Sequence, residues 1–389
     1  MNSTIRYLTA LSVCMGAVAA MAVQVSDVSL SQDAVSRVAT VSYQLDAPAI
    51  VTVDVRTNRG DGVYVSIGAD KLRGIWGDVN KYVTNVNTAV SASWRNDGIV
   101  SADAVAAGEV RAVVTAWSLS APPDYMVFNL MDLDEVRYYV SESALPLPIT
   151  DRVYKTDKLV LRRIPAAGVR WRMGTPGDTG SEAPQSVTLT EDYYIGVFEF
   201  TIGQWRRCMG IRPSDSYLTR ALDSAACATS YDYLRGKVSE GINWPQTGSA
   251  VLSTSPIHKI RETIGIEVDL PTEAQWEYAC RAGTGSELYT CKPLTEDNVS
   301  EIAYIGTDTV AVGGKAPNAW GLYDMCGNQL EWCLDWAPTG STRVMRGGAW
   351  NNAYQDCRSA KRYFTATDRN YATLGFRLAA PCRALEKAK

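Results

Sequence analysis

The sequence predicts a chain of two domains. A β-sandwich comes first, followed by a domain in which a few short helices are set in long, glycine-rich connections. Three observations carry this reading. At 389 residues the chain exceeds what one ordinary hydrophobic core serves. From Val23 to about Pro148, apolar and polar residues alternate with period two, interrupted by turn residues. Beyond Pro165 the alternation stops, and capped helical stretches and loops take over.

The first residues, 1–22, read as an export signal. Arg6 gives a short positive start, Tyr7 to Ala19 is mostly apolar, and Ala20-Met-Ala22 offers a small-x-small cleavage pattern. A membrane anchor is the competing reading, but the run is short for a span. A lipoprotein signal through Cys14 lacks a continuing pattern after that residue. The expectation is cleavage after Ala22 and a periplasmic, cell-surface or secreted mature chain with no later membrane span.

The β-sandwich is expected over 23–148. Arg37 to Leu45 alternates, Asp46-Ala-Pro48 turns, Ala49 to Val55 alternates again, and Asn58-Arg-Gly60 makes a second turn. Gly108 to Trp117 and Val136 to Val140 look like later strands of the same system. The phrase from Tyr43 to Val55 resembles immunoglobulin-like or fibronectin-type modules, which implies a spacer or docking role. No cluster of acids, histidines or cysteines marks this region for chemistry. Leu145-Pro-Leu-Pro-Ile149 ends it, and a linker strand is expected within 149–164, through Tyr154 to Ile164.

The second domain is expected over 165–382, with 383–389 as a tail. Trp171 to Thr175 and Tyr193 onward supply its entry strands, and a first helix starts near Thr201. Thr272 suits an N-cap with Gln275 three residues on, so a capping box opens a helix from about Glu273 to Ala282. Trp276 and Cys280, four residues apart, share one face of it.

Composition excludes several functions. Charged residues make up 21% and hydrophobic ones 46%, a globular balance. The net charge of -4 gives no electrostatic footprint for nucleic acid. The single histidine, His258, furnishes neither a catalytic triad nor a histidine-based metal site, and it lies in a polar helical stretch expected to be surface-exposed. With no C-x-x-C pair and no H-E-x-x-H, zinc hydrolysis has no support. Nine cysteines fall to eight if Cys14 leaves with the leader, and all eight lie in the second half. An even number in an exported chain suggests disulfides, with roughly a hundred complete pairings open. Cys326 with Cys333, Cys208 with Cys227, and Cys291 with Cys382 are possible pairs, and free buried thiols are the alternative.

Four ordered blocks carry a family resemblance. They are Leu270-Pro-Thr-Glu-Ala-Gln-Trp-Glu-Tyr-Ala-Cys280, Trp320 to Trp332, Met345-Arg-Gly-Gly-Ala-Trp-Asn-Asn352, and Leu374-Gly-Phe-Arg-Leu378. Over Pro165 to Ala380 the chain resembles the sulfatase-modifying-factor, or formylglycine-generating-enzyme, family. That resemblance implies a C-type-lectin-like α+β fold with few regular elements. It also implies a structural calcium ion held by the Asp324 side chain, the Gly327 and Gln329 carbonyls and the Glu331 carboxylate, oxygen donors of the kind calcium takes. The alternative is that both carboxylates cap backbone amides in the turn. A disulfide between Cys280 and Cys357 is implied in the same way.

The family's oxidase converts a sulfatase cysteine to formylglycine with a copper ion on two cysteines five residues apart, soft donors suited to Cu(I). Asn352 stands at the first of those positions, and Cys357 better matches the disulfide cysteine. Ala349 replaces a serine and Leu330 a tryptophan of the pocket, so the site reads as degenerate. The following loops carry Asn351, Asn352, Tyr354, Asp356, Tyr363, Asp368, Asn370 and Tyr371, residue types that make adaptable contact surfaces. They resemble the ligand-facing loops of lectin-like members. The leading expectation is therefore a non-catalytic module that binds a protein, peptide or glycan. A copper-dependent formylglycine-generating oxidase and a structural or surface-array protein are the rivals.

Overall fold

The computed structural model describes residues 23–33, 35–96, 98–132, 136–213, 219–236 and 251–382. The expected signal segment 1–22 and the tail 383–389 lie outside the described residues. The chain is mostly β with few helices. It divides into two compact units, Met1–Pro123 with Arg137–Pro148, and Asp124–Val136 with Ile149–Lys389.

The first unit holds two antiparallel sheets. One orders Val25–Gln32, Val38–Leu45, Val90–Arg95 and Trp76–Gly77. The other places Ala49–Asn58 against Tyr64–Ser66, Lys81–Val83 and Val110–Trp117. In Val38–Leu45 every second residue is buried, which the expected alternation requires. Val41, Tyr43, Val51, Val55, Trp94 and Val110 from both sheets meet in one core. The Tyr43 hydroxyl donates to the Asp78 carbonyl, so the buried ring keeps its polar end satisfied. A five-residue helix, Ala102–Ala106, is capped by Ser101.

In the second unit, Tyr125–Asn129, Lys158–Ile164, Tyr193–Gly196 and Ala379–Pro381 lie side by side in antiparallel pairs. The strand expected as a connection begins with a short helix, Val153–Thr156, and continues as Lys158–Ile164, which pairs on both edges. Its Leu159, Val160, Leu161 and Ile164 are buried, as a central strand requires. A second sheet orders Tyr363–Thr365, Arg343–Arg346, Leu330–Trp336 and Leu374–Gly375, the last pair parallel.

Helices cover these sheets sparingly. Ile202–Met209 starts at Thr201 with a capping box to Gln204. Glu273–Arg281 starts at Thr272 with the expected reciprocal bonds to Gln275, and Trp276 and Cys280 are both fully buried. Pro256–Ile264 carries His258, which is 34% exposed rather than open to solvent and lies 3.5 Å from Glu262. The helix buries Ile257, Ile260 and Ile264 and so turns His258, Lys259 and Glu262 partly or fully outward. Among the described residues no helix is long and apolar enough to cross a membrane.

Candidate functional site

Two strongly bent turns meet beside the second sheet. In Asp324–Asn328 three residues take left-handed backbone, Asp324 at φ 54°, Gly327 at 77° and Asn328 at 56°. Asp and Asn tolerate this conformation through short polar side chains. Gly327 is needed for a further reason, because a Cβ there would stand 2.7 Å from the Tyr304 backbone N and O. Gly347 and Gly348 form the facing turn, and the Gly327 amide donates to the Gly347 carbonyl at 2.9 Å.

Buried charge fixes these turns. Arg377 forks onto Glu331, with Nε to Oε2 and Nη2 to Oε1 both at 2.6 Å. The Trp276 indole N–H donates to the same Oε2 at 2.6 Å. Arg377 also donates to the carbonyls of Gly196 and Tyr323. Glu199, fully buried, accepts from the Asn328 side-chain amide and from the Gln329 backbone N–H. Asn328 in turn accepts from Thr309 and Val310. Burial, reinforced by Asp324 and Glu331, pushes Glu199 well above the carboxylate range. Asp324 is pushed up to about 6, chiefly by burial.

The calcium set implied by the family does not fit this arrangement. Both Glu331 oxygens already answer Arg377, and one also takes Trp276, so the carboxylate is neutralised in place. One oxygen of Asp324 accepts the Gly313 amide at 2.6 Å, which is the capping role held open as the alternative. Gly327 and Gln329 offer their carbonyls at the same turn, but without the Glu331 charge they are weak ligands.

The copper position fares likewise. The Asn352 side-chain oxygen accepts the Ala349 amide at 2.8 Å, and the Asn352 amide donates to the Ala349 carbonyl at 3.0 Å. The amide that replaces the thiolate thus closes its own turn. Leu330 and Ala349 are buried and apolar. Cys357 is fully buried in the core that contains Trp276, Cys280 and Cys326. Among the described residues no group of three or more His, Cys, Asp and Glu side chains is placed to hold a metal. A two-thiolate copper site does not fit residues Leu330, Ala349 and Asn352.

The expected contact residues separate into two groups. Asn351, Asp368, Asn370 and Tyr371 are exposed, Tyr371 by 52%. Asn352, Tyr354, Asp356 and Tyr363 are half-buried, and Tyr354 packs against the core. Asp356 pairs with Lys361 at 3.0 Å, and the Lys361 ammonium lies 5.4 Å from the Tyr363 ring centre. Behind these loops Arg358 grips Glu182, and Arg362 forks onto Glu273 with both contacts at 2.6 Å. The loops are therefore preorganised by bidentate ion pairs.

All eight described cysteines are thiols. Cys208 is buried and Cys291 exposed, and the Cys227 sulfur accepts from Arg220 at 2.7 Å. Glu199 and the pairing of Arg377 with Glu331 were not expected from the sequence. The available signal was Arg377 itself, an arginine between Phe376 and Leu378, which demands a buried carboxylate.

Residues 163–381 match the family described as the sulfatase-modifying factor enzyme 1-like domain. A 206-residue stretch is 31% identical to chaperone protein LppX of Paenibacillus barcinonensis, covering 44% of this chain and 73% of that protein. Over 128 residues the chain is 37% identical to serine/threonine-protein kinase pkn1 of Chlamydia pneumoniae, covering 28% of this chain and 20% of the kinase. Over 143 residues it is 32% identical to the formylglycine-generating enzyme of Bos taurus, covering 28% of this chain and 38% of the enzyme. The matches to kinase and enzyme thus span well under half of either protein. Among solved structures, Treponema denticola variable protein 1 aligns with a TM-score of 0.48 at 23% identity, over 58% of this chain and 95% of that one.

Proposed function

This chain belongs to the sulfatase-modifying factor enzyme 1-like domain family, and we propose that it is a non-catalytic member acting as an exported binding module. It recognises a protein, peptide or glycan through the loops bearing Asn351, Asp368, Asn370 and Tyr371. The observation that carries this reading is the Asn352 side chain, bonded to the Ala349 amide where the resemblance calls for a metal-binding thiolate. Soft Cu(I) gains little from an amide oxygen, least of all one already engaged. The exposed tyrosine and the neighbouring asparagines supply planar area and hydrogen bonding at low entropic cost. Arg358 and Arg362 hold the loop bases, which reduces the ordering cost of binding. The export reading rests on the apolar run Tyr7 to Ala19 and its Ala20-Met-Ala22 boundary.

The test is a screen of the full chain against immobilised peptide and glycan arrays, repeated with Tyr371→Ala. The reading expects a defined ligand class whose retention falls at least about tenfold in the variant, the effect of losing one aromatic anchor. Retention unchanged by Tyr371→Ala and by Asn370→Ala would place recognition elsewhere and overturn it.

A further inference from the structure

Three thiols from separate parts of the second unit converge in its core. Cys280 lies near the end of the helix Glu273–Arg281, Cys326 opens the two-residue strand Cys326–Gly327, and Cys357 follows the turn Tyr354–Asp356. All three are shielded from solvent in one apolar cluster. The Cys280 Sγ lies 3.7 Å from the carbonyl of Met325, the residue next to Cys326, and the Cys280 and Cys326 thiols are close enough to act on each other's protonation. The Cys357 sulfur sits near the Gly327 amide, and a Cβ on Gly348 would be 3.1 Å from it. Cys326 thus lies between the two, with Cys280 the stronger influence on it.

We propose that Cys280 and Cys326 form a dithiol that closes to a disulfide as the chain folds in the presence of a disulfide oxidant such as oxidised glutathione, leaving Cys357 a thiol. The Cys280 thiolate attacks one sulfur of the oxidant and expels a glutathione thiolate, which takes up a proton. The Cys326 thiolate then attacks the Cys280 sulfur of the mixed disulfide and expels the second glutathione. Two protein thiols lose two electrons, and one glutathione disulfide becomes two thiols. Burial pushes the Cys280 thiol up, but the neighbouring Cys326 and Ser359 side chains and the guanidiniums of Arg281 and Arg346 bring it below the usual thiol range. Burial and Asp356 push Cys357 up to about 12, and the neighbouring Cys280 together with burial pushes Cys326 up as well, so position and not acidity selects the partner of Cys280. The pairing differs from the Cys280–Cys357 bridge that the family resemblance implies.

The experiment refolds the full chain in a glutathione redox buffer, alkylates free thiols after denaturation and maps unreduced peptides by mass spectrometry. The expected product is a linked pair containing Cys280 and Cys326, with Cys357 alkylated. The link should persist in Cys357→Ser and vanish in Cys326→Ser. A Cys280–Cys357 link, any other partner for Cys280, or full alkylation of all three would overturn the proposal. The wild-type map decides this even if a variant fails to fold.

Discussion

The two units solve the same problem by opposite means. In the first, among its described residues, the buried polar side chains are Thr52 and Asn96, and apolar residues from two regular sheets fill the core. In the second, Glu199, Asp269, Glu277, Asp324 and Glu331 are buried together with Arg235, Arg346 and Arg377. The difference follows from backbone accounting. Long paired strands satisfy their own N–H and C=O groups, whereas loops and two-residue strands leave carbonyls without partners. Arginine forks fill that gap. Arg377 reaches Gly196 and Tyr323, Arg346 reaches Ser359, Ala360 and Lys361, and Arg281 reaches Ser286 and Gly174. Each fork also needs a carboxylate, which is why the acids are buried with them.

Breaking one fork should have the largest effect. Arg377→Met leaves the Glu331 carboxylate buried and unpaired, and is expected to cost about 3–5 kcal/mol. Trimming Ile50→Val in the first unit should cost only about 1 kcal/mol. Denaturant unfolding of the full chain, followed by signals from each unit, measures both. Equal costs would erase the contrast between the units.

The second effect depends on pH. Asp324 titrates near 6 when folded against about 3.9 in an unfolded chain. Its raised value makes the neutral form the favoured one in the folded state. The stability it contributes is therefore complete below about pH 4 and is lost as pH rises through 6. Asp324→Asn keeps an acceptor for the Gly313 amide and tolerates the left-handed backbone. At pH 7.5 it should be more stable than the wild type, by roughly 3 kcal/mol at most, with the gap closing near pH 4. A gap that widens at acid pH would show that the carboxylate is stabilised as an anion instead.

A smaller effect sharpens the local picture. Thr272→Ala removes the oxygen that accepts the Gln275 amide at 3.2 Å. The expected loss is about 1 kcal/mol. Thermal melting of wild type and variant side by side reads it, and no change would mean that packing of Trp276 alone fixes the helix start.

Legibility followed the same divide. Val38–Leu45 was readable because alternation is a local signal and its buried face follows it, whereas the strand expected over Ala49–Val55 runs on to Asn58, which was expected in a turn, and buries its first four residues in succession. Thr272 and Gln275 were readable because a capping box spans only three residues. Ala303–Tyr304 and Cys326–Gly327 were not, since a two-residue strand has no period to detect. Lys158–Ile164 was visible as a strand, but its neighbours come from Tyr125–Asn129 and Tyr193–Gly196, a choice made by tertiary packing. At the candidate site, Asn352 was legible as a missing sulfur, whereas its bond to Ala349 was not. Glu199 and Arg377 are far from Glu331 in the chain and join it only through the folded core.

In the function proposed, Leu330, Ala349 and Asn352 hold no copper ion and the loops bearing Asn351, Asp368, Asn370 and Tyr371 take the ligand. Titration of the purified full chain with Cu(I) against a competing chelator, combined with assay of a Cys-x-Pro-x-Arg peptide for formylglycine, tests it most directly. No stoichiometric Cu(I) uptake at these residues and an unmodified peptide under oxygen are expected. Tight one-to-one Cu(I) binding with conversion of the peptide cysteine would contradict it.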